Sequence, residues 1–167
     1  VGKSTLLRAI LFFYNADTQR LGIPVEQKSH QDYYFPYADS SIIYEVARED
    51  GWFTVLSYKT MNRICYRFIA SPYRPDLFID EEGAPYPSDR IRSVLDKNGI
   101  KYSGAISTYE EYRNILYGNS DNKRDYSCYS LMESGSYQNI IRTIQNVLLN
   151  SRLEADYIKQ TIITSLN

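Results

Sequence analysis

The chain has 167 residues, 43% of them hydrophobic and 23% charged, which suffices for a real core and excludes a disordered polymer. Its 19 Lys+Arg against 20 Asp+Glu give a formal net charge of -1, so it lacks the balance of a dedicated nucleic-acid binder and any DNA contact must be local. Cys65, Cys128 and the single His30 show neither metal-ligand spacing nor a disulfide framework, and no apolar run is long enough to span a bilayer. Buried free thiols, a cytoplasmic location and no membrane contact are the expectations.

Val1-Gly2-Lys3-Ser4-Thr5 opens the chain and runs at once into Leu6, Leu7, Ile10 and Leu11, apolar at helical spacing. A helix is expected from about Ser4 to Phe13. A polar and aromatic connection through Tyr33, Tyr34 and Phe35 follows. Then come three runs rich in Ile, Val, Tyr and Phe, namely Ser41 to Val46, Phe53 to Tyr58 and Ile64 to Ile69. The connectors Arg48-Glu49-Asp50-Gly51 and Thr60-Met61-Asn62-Arg63 are short and polar, which predicts an antiparallel meander. Alternation sends Ile42 and Ile43 to opposite faces of it, so one of the pair is expected in the core and the other partly exposed or covered by a neighbouring element.

A small hairpin is expected between Phe78 and Tyr86. Ser88 reads as the cap of a helix with Ile91, Val94 and Leu95 on its apolar side, ended by Asn98-Gly99. Ser107 and Thr108 stand three residues before Glu110 and Glu111, two overlapping capping boxes for a helix that stops near Gly118. Residues 119 to 125 read as a loop. Beyond them Ile140, Ile141, Ile144, Val147 and Leu148 form one helical stripe, and Ala155, Ile158, Ile162 and Leu166 another.

The first five residues carry the chemistry. In the pattern G-x-x-x-x-G-K-[ST], backbone N–H groups cradle phosphates, the lysine reaches the β- and γ-phosphates and the hydroxyl holds Mg²⁺. Gly2, Lys3, Ser4 and Thr5 supply its second half, so ATP with Mg²⁺ is the expected ligand, Ser4 the metal ligand and Thr5 a further phosphate contact. The first glycine and the strand before it would lie upstream of Val1, and residues 1–167 are accordingly expected to be a single partial domain. Gly-Lys-Ser by itself is a weak signal. The bland alternative is an amphipathic helix that happens to begin with it.

With Gly2 to Arg8, the strand block Ser41-Ile42-Ile43-Tyr44-Glu45, the block Tyr109 to Gly118 and Tyr137-Gln138-Asn139-Ile140 on view, the chain resembles the N-terminal lobe of an SMC-like ATPase head, with closest similarity to the MukB-like subunits of condensin-type and Wadjet plasmid-defence systems. The resemblance implies an α/β fold of α+β character, a partial P-loop head of ABC/SMC type in which an antiparallel meander is flanked by helices. It implies a glutamine-loop residue near Mg²⁺, for which Gln138 is the candidate beside Gln145 and Gln160; a surface amide at a helix start is the plain alternative. It also implies partners: the C-terminal lobe of the same chain, a second head, DNA and accessory subunits. The C-terminal elements of such heads have no match here. There is no apolar strand ending in paired acids, no Leu-Ser-Gly-Gly and no sustained heptad pattern. No catalytic residue is therefore assigned, and residues 1–167 alone are expected to be inert while the full-length protein hydrolyses ATP.

The seventeen tyrosines, including Tyr33, Tyr34, Tyr37, Tyr109, Tyr112 and Tyr117, are expected to pack at half-wet surfaces rather than stack on bases. Lys59, Arg63, Arg67 and Arg74 could meet a DNA backbone, but a solvated face is the simpler reading. His30 lies in a polar stretch and is expected to face solvent. Two other functions remain open on the residues: a different P-loop protein such as a nucleotide kinase, against which the antiparallel block argues, and a non-enzymatic interaction module.

Overall fold

The computed structural model describes residues 3–15, 35, 37, 40–61 and 63–131. Helix α1, Lys3–Asn15, turns Leu7, Ile10 and Tyr14 along one stripe, with Phe12 and Phe13 buried beside it. Strands β1 (Ser41–Arg48), β2 (Gly51–Lys59) and β3 (Ile64–Ile69) make an antiparallel sheet in the order β1-β2-β3, the expected meander. β1 and β2 extend past the expected ends because the connection is only Glu49-Asp50, which lets pairing run on to Arg48 opposite Gly51. Gly51 takes φ 142°, a backbone conformation that L side chains rarely adopt, and Arg48 Nε meets Asp50 Oδ1 at 3.0 Å across the turn.

The pleat divides the sheet into two packed faces. Phe53 and Val55 of β2 join Tyr66 and Phe68 of β3 on the face that receives α1. Leu56, Tyr58, Cys65 and Ile69 turn the other way, toward Leu77, Phe78, Ile91 and Leu95. Ile42 and Ile43 pack on opposite clusters as expected, but both are half-buried and neither is the core residue anticipated, because they lie on β1, an edge strand of the sheet.

After β3, a 3₁₀ turn at Pro75–Leu77 leads into a tight hairpin held by the Ile79–Pro85 bridge, where the Asp80 carboxylate accepts from the backbone N–H groups of Glu82 and Ala84, each at 2.9 Å. Helix α2, Ser88–Lys97, covers the second face with Ile91 and Leu95. Ser88 is its first helical residue, not its cap; Pro87 holds the cap position, its fixed φ entering the helix without a side-chain hydrogen bond. Asn98 and Gly99 end α2 as expected, with Gly99 at φ 67°.

The chain then returns along the outer edge of β3. Tyr66 and Ile106 exchange both backbone hydrogen bonds at 2.8 Å, and Ile69 bridges Tyr102. Helix α3, Tyr109–Leu116, lays Tyr112, Ile115 and Leu116 on the α1 side. Of the two capping boxes only the second is used at the backbone, Glu111 N donating to Thr108 Oγ1 at 3.3 Å. The stretch expected as a loop contains a one-turn helix, α4, at Lys123–Tyr126. Asn122 caps it by accepting from Asp125 N, so the polar residues that looked like a linker supply helix-start chemistry. A 3₁₀ turn at Ser127–Tyr129 follows and buries Tyr129 against Phe53 and Phe68. The two apolar stripes beyond residue 140 lie outside the described residues.

Candidate nucleotide-binding site

Lys3, Ser4 and Thr5 form the first turn of α1, so the hydroxyl and lysine positions of the motif stand at a helix start. Gly2 and Gln138 lie outside the described residues, as do Gln145 and Gln160. The first N–H groups of a helix have no intrahelical partner and carry the positive end of its dipole. In α2 and α3 an acid of the first turn answers that charge, Asp89 in one and Glu110 with Glu111 in the other. The first turn of α1 holds no acid. A thirteen-residue helix that opens on Lys-Ser-Thr with no acid in its first turn starts with backbone N–H donors of the kind that phosphate oxygens accept from.

The middle and the far end of α1 are fastened by phenols from elsewhere in the chain. Tyr44 of β1 donates to the carbonyl of Ala9 at 2.8 Å. Tyr112 of α3 donates to Phe13 O, and Tyr117, which caps α3, donates to Tyr14 O. Phe13 and Tyr14 are among the last four residues of α1, whose carbonyls find no partner inside the helix, so these phenols supply bonds that the helix cannot. Tyr112 is 1% exposed and stacks on Tyr66 and Phe68 with ring centroids 4.5 and 5.5 Å away. Burial foremost, with the neighbouring phenols, pushes its hydroxyl well above the usual range and keeps it a neutral donor. No signal in the sequence pairs a phenol with a carbonyl 99 residues away, and the role of Tyr112 was not legible there.

The basic run does not form one face. Arg67 is 4% exposed; its Nη1 donates to Ser103 O at 2.6 Å and its guanidinium lies over the Tyr102 ring at 5.3 Å. It faces the interior because β3 is covered on both sides, so Arg67 cannot meet a DNA backbone. Lys59 reaches Phe35 O at 3.1 Å, and Arg74 pairs with Asp76 at 2.7 Å, which raises the guanidinium and lowers the carboxyl. Arg63 is exposed.

The tyrosines spread more widely than the expected half-wet positions: Tyr112 is wholly in the core, Tyr117 is half-buried as expected and Tyr109 lies under the Arg113 guanidinium at 4.9 Å. Tyr37 is 76% exposed, while Tyr33, Tyr34 and His30 lie outside the described residues. Cys65 is buried as expected, but Cys128 is exposed, because the short 3₁₀ turn that carries it turns Tyr129 inward instead. The recess lined by Ser41, Tyr58, Lys59, Tyr86 and Ser88 offers about 20 Å³, room for a water molecule and not for a nucleotide.

The family described as "Protein of unknown function (DUF3584)" matches residues 1–167, the whole of the sequence. The chain belongs to this family. No curated protein and no solved structure matches it. Its DUF3584 fold is thus described on its own terms, as a mixed structure of helices and a three-stranded antiparallel sheet. Among the described residues of this DUF3584 chain, no helix is long and apolar enough to cross a membrane.

Proposed function

We propose that residues 1–167 are the ATP-binding part of an SMC-like ATPase head, a single partial domain with the finer architecture of an ABC/SMC P-loop head. The observation that carries this reading is the run Gly2-Lys3-Ser4-Thr5 entering α1 with no acid in its first turn. Lys3 neutralises the β- and γ-phosphates, Ser4 ligates Mg²⁺, and the N–H groups of Gly2 to Thr5 complete the anion nest. Gln138 is the proposed glutamine-loop residue. The antiparallel meander packed on α1 supports an ATPase head over a nucleotide kinase, which would alternate strands and helices around a parallel sheet.

In this reading the full-length protein acts in the cytoplasm. It joins this part to a C-terminal lobe of the same chain, pairs with a second head, and couples ATP binding and hydrolysis to DNA organisation, loop extrusion or plasmid defence with accessory subunits. Residues 1–167 alone are inert, because no Walker B acid or signature motif is among them. The test is calorimetric titration of the full-length protein and its Lys3→Ala variant with ATP and Mg²⁺. Loss of a charged phosphate contact should weaken binding by about 1.5–3 kcal/mol. Equal affinity in the two proteins contradicts the proposal.

A further inference from the structure

We propose that Tyr112 and Tyr117 are positioning residues for the nucleotide: their phenols fix the far end of α1 and thereby the placement of Lys3, Ser4 and Thr5. The proposal rests on the nucleotide-binding reading and extends it to α3, an element that makes no contact with phosphate in that reading.

Leu7, Ile10, Phe12 and Phe13 hold α1 to the sheet through apolar contacts, which are strong but non-directional; hydrogen bonds add direction, against both sliding and rotation about the axis. Three such directed bonds reach α1 from tyrosine hydroxyls: Tyr44 to Ala9 O from the sheet, Tyr112 to Phe13 O and Tyr117 to Tyr14 O from the α3 side.

Two of these bonds leave from one rigid segment onto adjacent carbonyls, which fixes rotation as well as height. That segment is itself pinned. Thr108 caps its start, Gly118 closes its end at φ 74°, and Leu131 N donates back to Leu116 O. Phe13 stands eight residues beyond Thr5, about 12 Å along a rigid helix, so a shift at the clamp is carried to the phosphate end undiminished. Misplacing a binding group by about 1 Å can cost as much as 100-fold where geometry is demanding.

The purely structural role of these phenols, satisfying buried carbonyls, makes a different forecast: lower stability with unchanged ligand affinity. The experiment separates the two in the full-length protein. Tyr117→Phe is the principal variant because Tyr117 is half-buried and the change removes one oxygen; Tyr112→Phe is the second, and Val55→Ala, in the same core but with a side chain that cannot bond a carbonyl, is the stability control. Mg-ATP and adenosine are titrated calorimetrically, well below the melting temperature of each variant.

Positioning requires Tyr117→Phe to weaken Mg-ATP about tenfold while adenosine binding is unchanged, and Val55→Ala to leave Mg-ATP within about twofold. If Lys3→Ala weakens Mg-ATP binding as expected but Tyr117→Phe stays within about twofold of wild type, the clamp proposal is overturned and the nucleotide site stands. If Lys3→Ala changes nothing, the nucleotide reading fails and the proposal falls with it.

Discussion

Phe68 and Ile69 are consecutive residues of β3, both fully buried, and they point to opposite faces of the sheet. Replacing each in turn with alanine tests whether the sheet is covered on both sides. Phe68 lies 5.5 Å from the Tyr112 ring, 5.3 Å from Tyr129 and 6.3 Å from Phe53, centroid to centroid. Truncating a buried Phe costs about 3–5 kcal/mol in transfer and cavity terms, and the lost ring pairs place this one at the upper end.

Ile69 packs with Leu77, Ile91 and Leu95, and its truncation should cost about 2–5 kcal/mol, with Ile69→Val at about 0.5–1.5 kcal/mol as the milder step. Trp52 is the single tryptophan and is 54% exposed on β2, so its fluorescence reports urea unfolding of the sheet directly. Both substitutions should move the midpoint strongly. Either alanine variant costing less than about 1 kcal/mol would mean that its face is wet, and the packing of both faces of the sheet would be wrong.

Thr108→Ala removes the cap of α3 and should cost about 1 kcal/mol, read by the same unfolding assay, with Ser107→Ala near neutral because its hydroxyl makes no capping bond. Alkaline titration should leave stability flat to about pH 10 and then lower it. The sign follows from Tyr66, Tyr112 and Tyr129, each held by burial above its unfolded value: they favour the fold fully below the ordinary phenol range, and that contribution is lost as pH rises toward their folded values. A stability curve rising above pH 10 would refute it. A thiol reagent should modify Cys128 in the native protein and Cys65 only on unfolding, and native labelling of both would contradict the burial of Cys65.

The meander was legible because β2 and β3 are short runs of β-branched and aromatic residues between polar turns, and those propensities agree with the tertiary environment. The ends of the strands were less so, since pairing continues into a two-residue turn only when the partner is in register. Ser88 and the 119–125 stretch misled for one shared reason: hydroxyl and amide residues favour caps and loops alike, and the backbone decides between them. Arg67 looked like a surface cation because charge is usually solvated. Its burial depends on the returning segment at Ser103 and on the Tyr102 ring, both more than thirty residues away in sequence. For the site, the helix and its Lys-Ser-Thr start were readable, while the phenol clamp on its carbonyls joins residues remote in sequence and left no pattern to read.

The most direct test of the nucleotide reading is a structure of the full-length protein with a non-hydrolysable ATP analogue and Mg²⁺. The triphosphate is expected at the start of α1, with the Lys3 ammonium on the β- and γ-phosphates and the Ser4 hydroxyl on the metal. A triphosphate bound elsewhere, or Lys3 and Ser4 both out of reach of it, would contradict nucleotide binding by this motif.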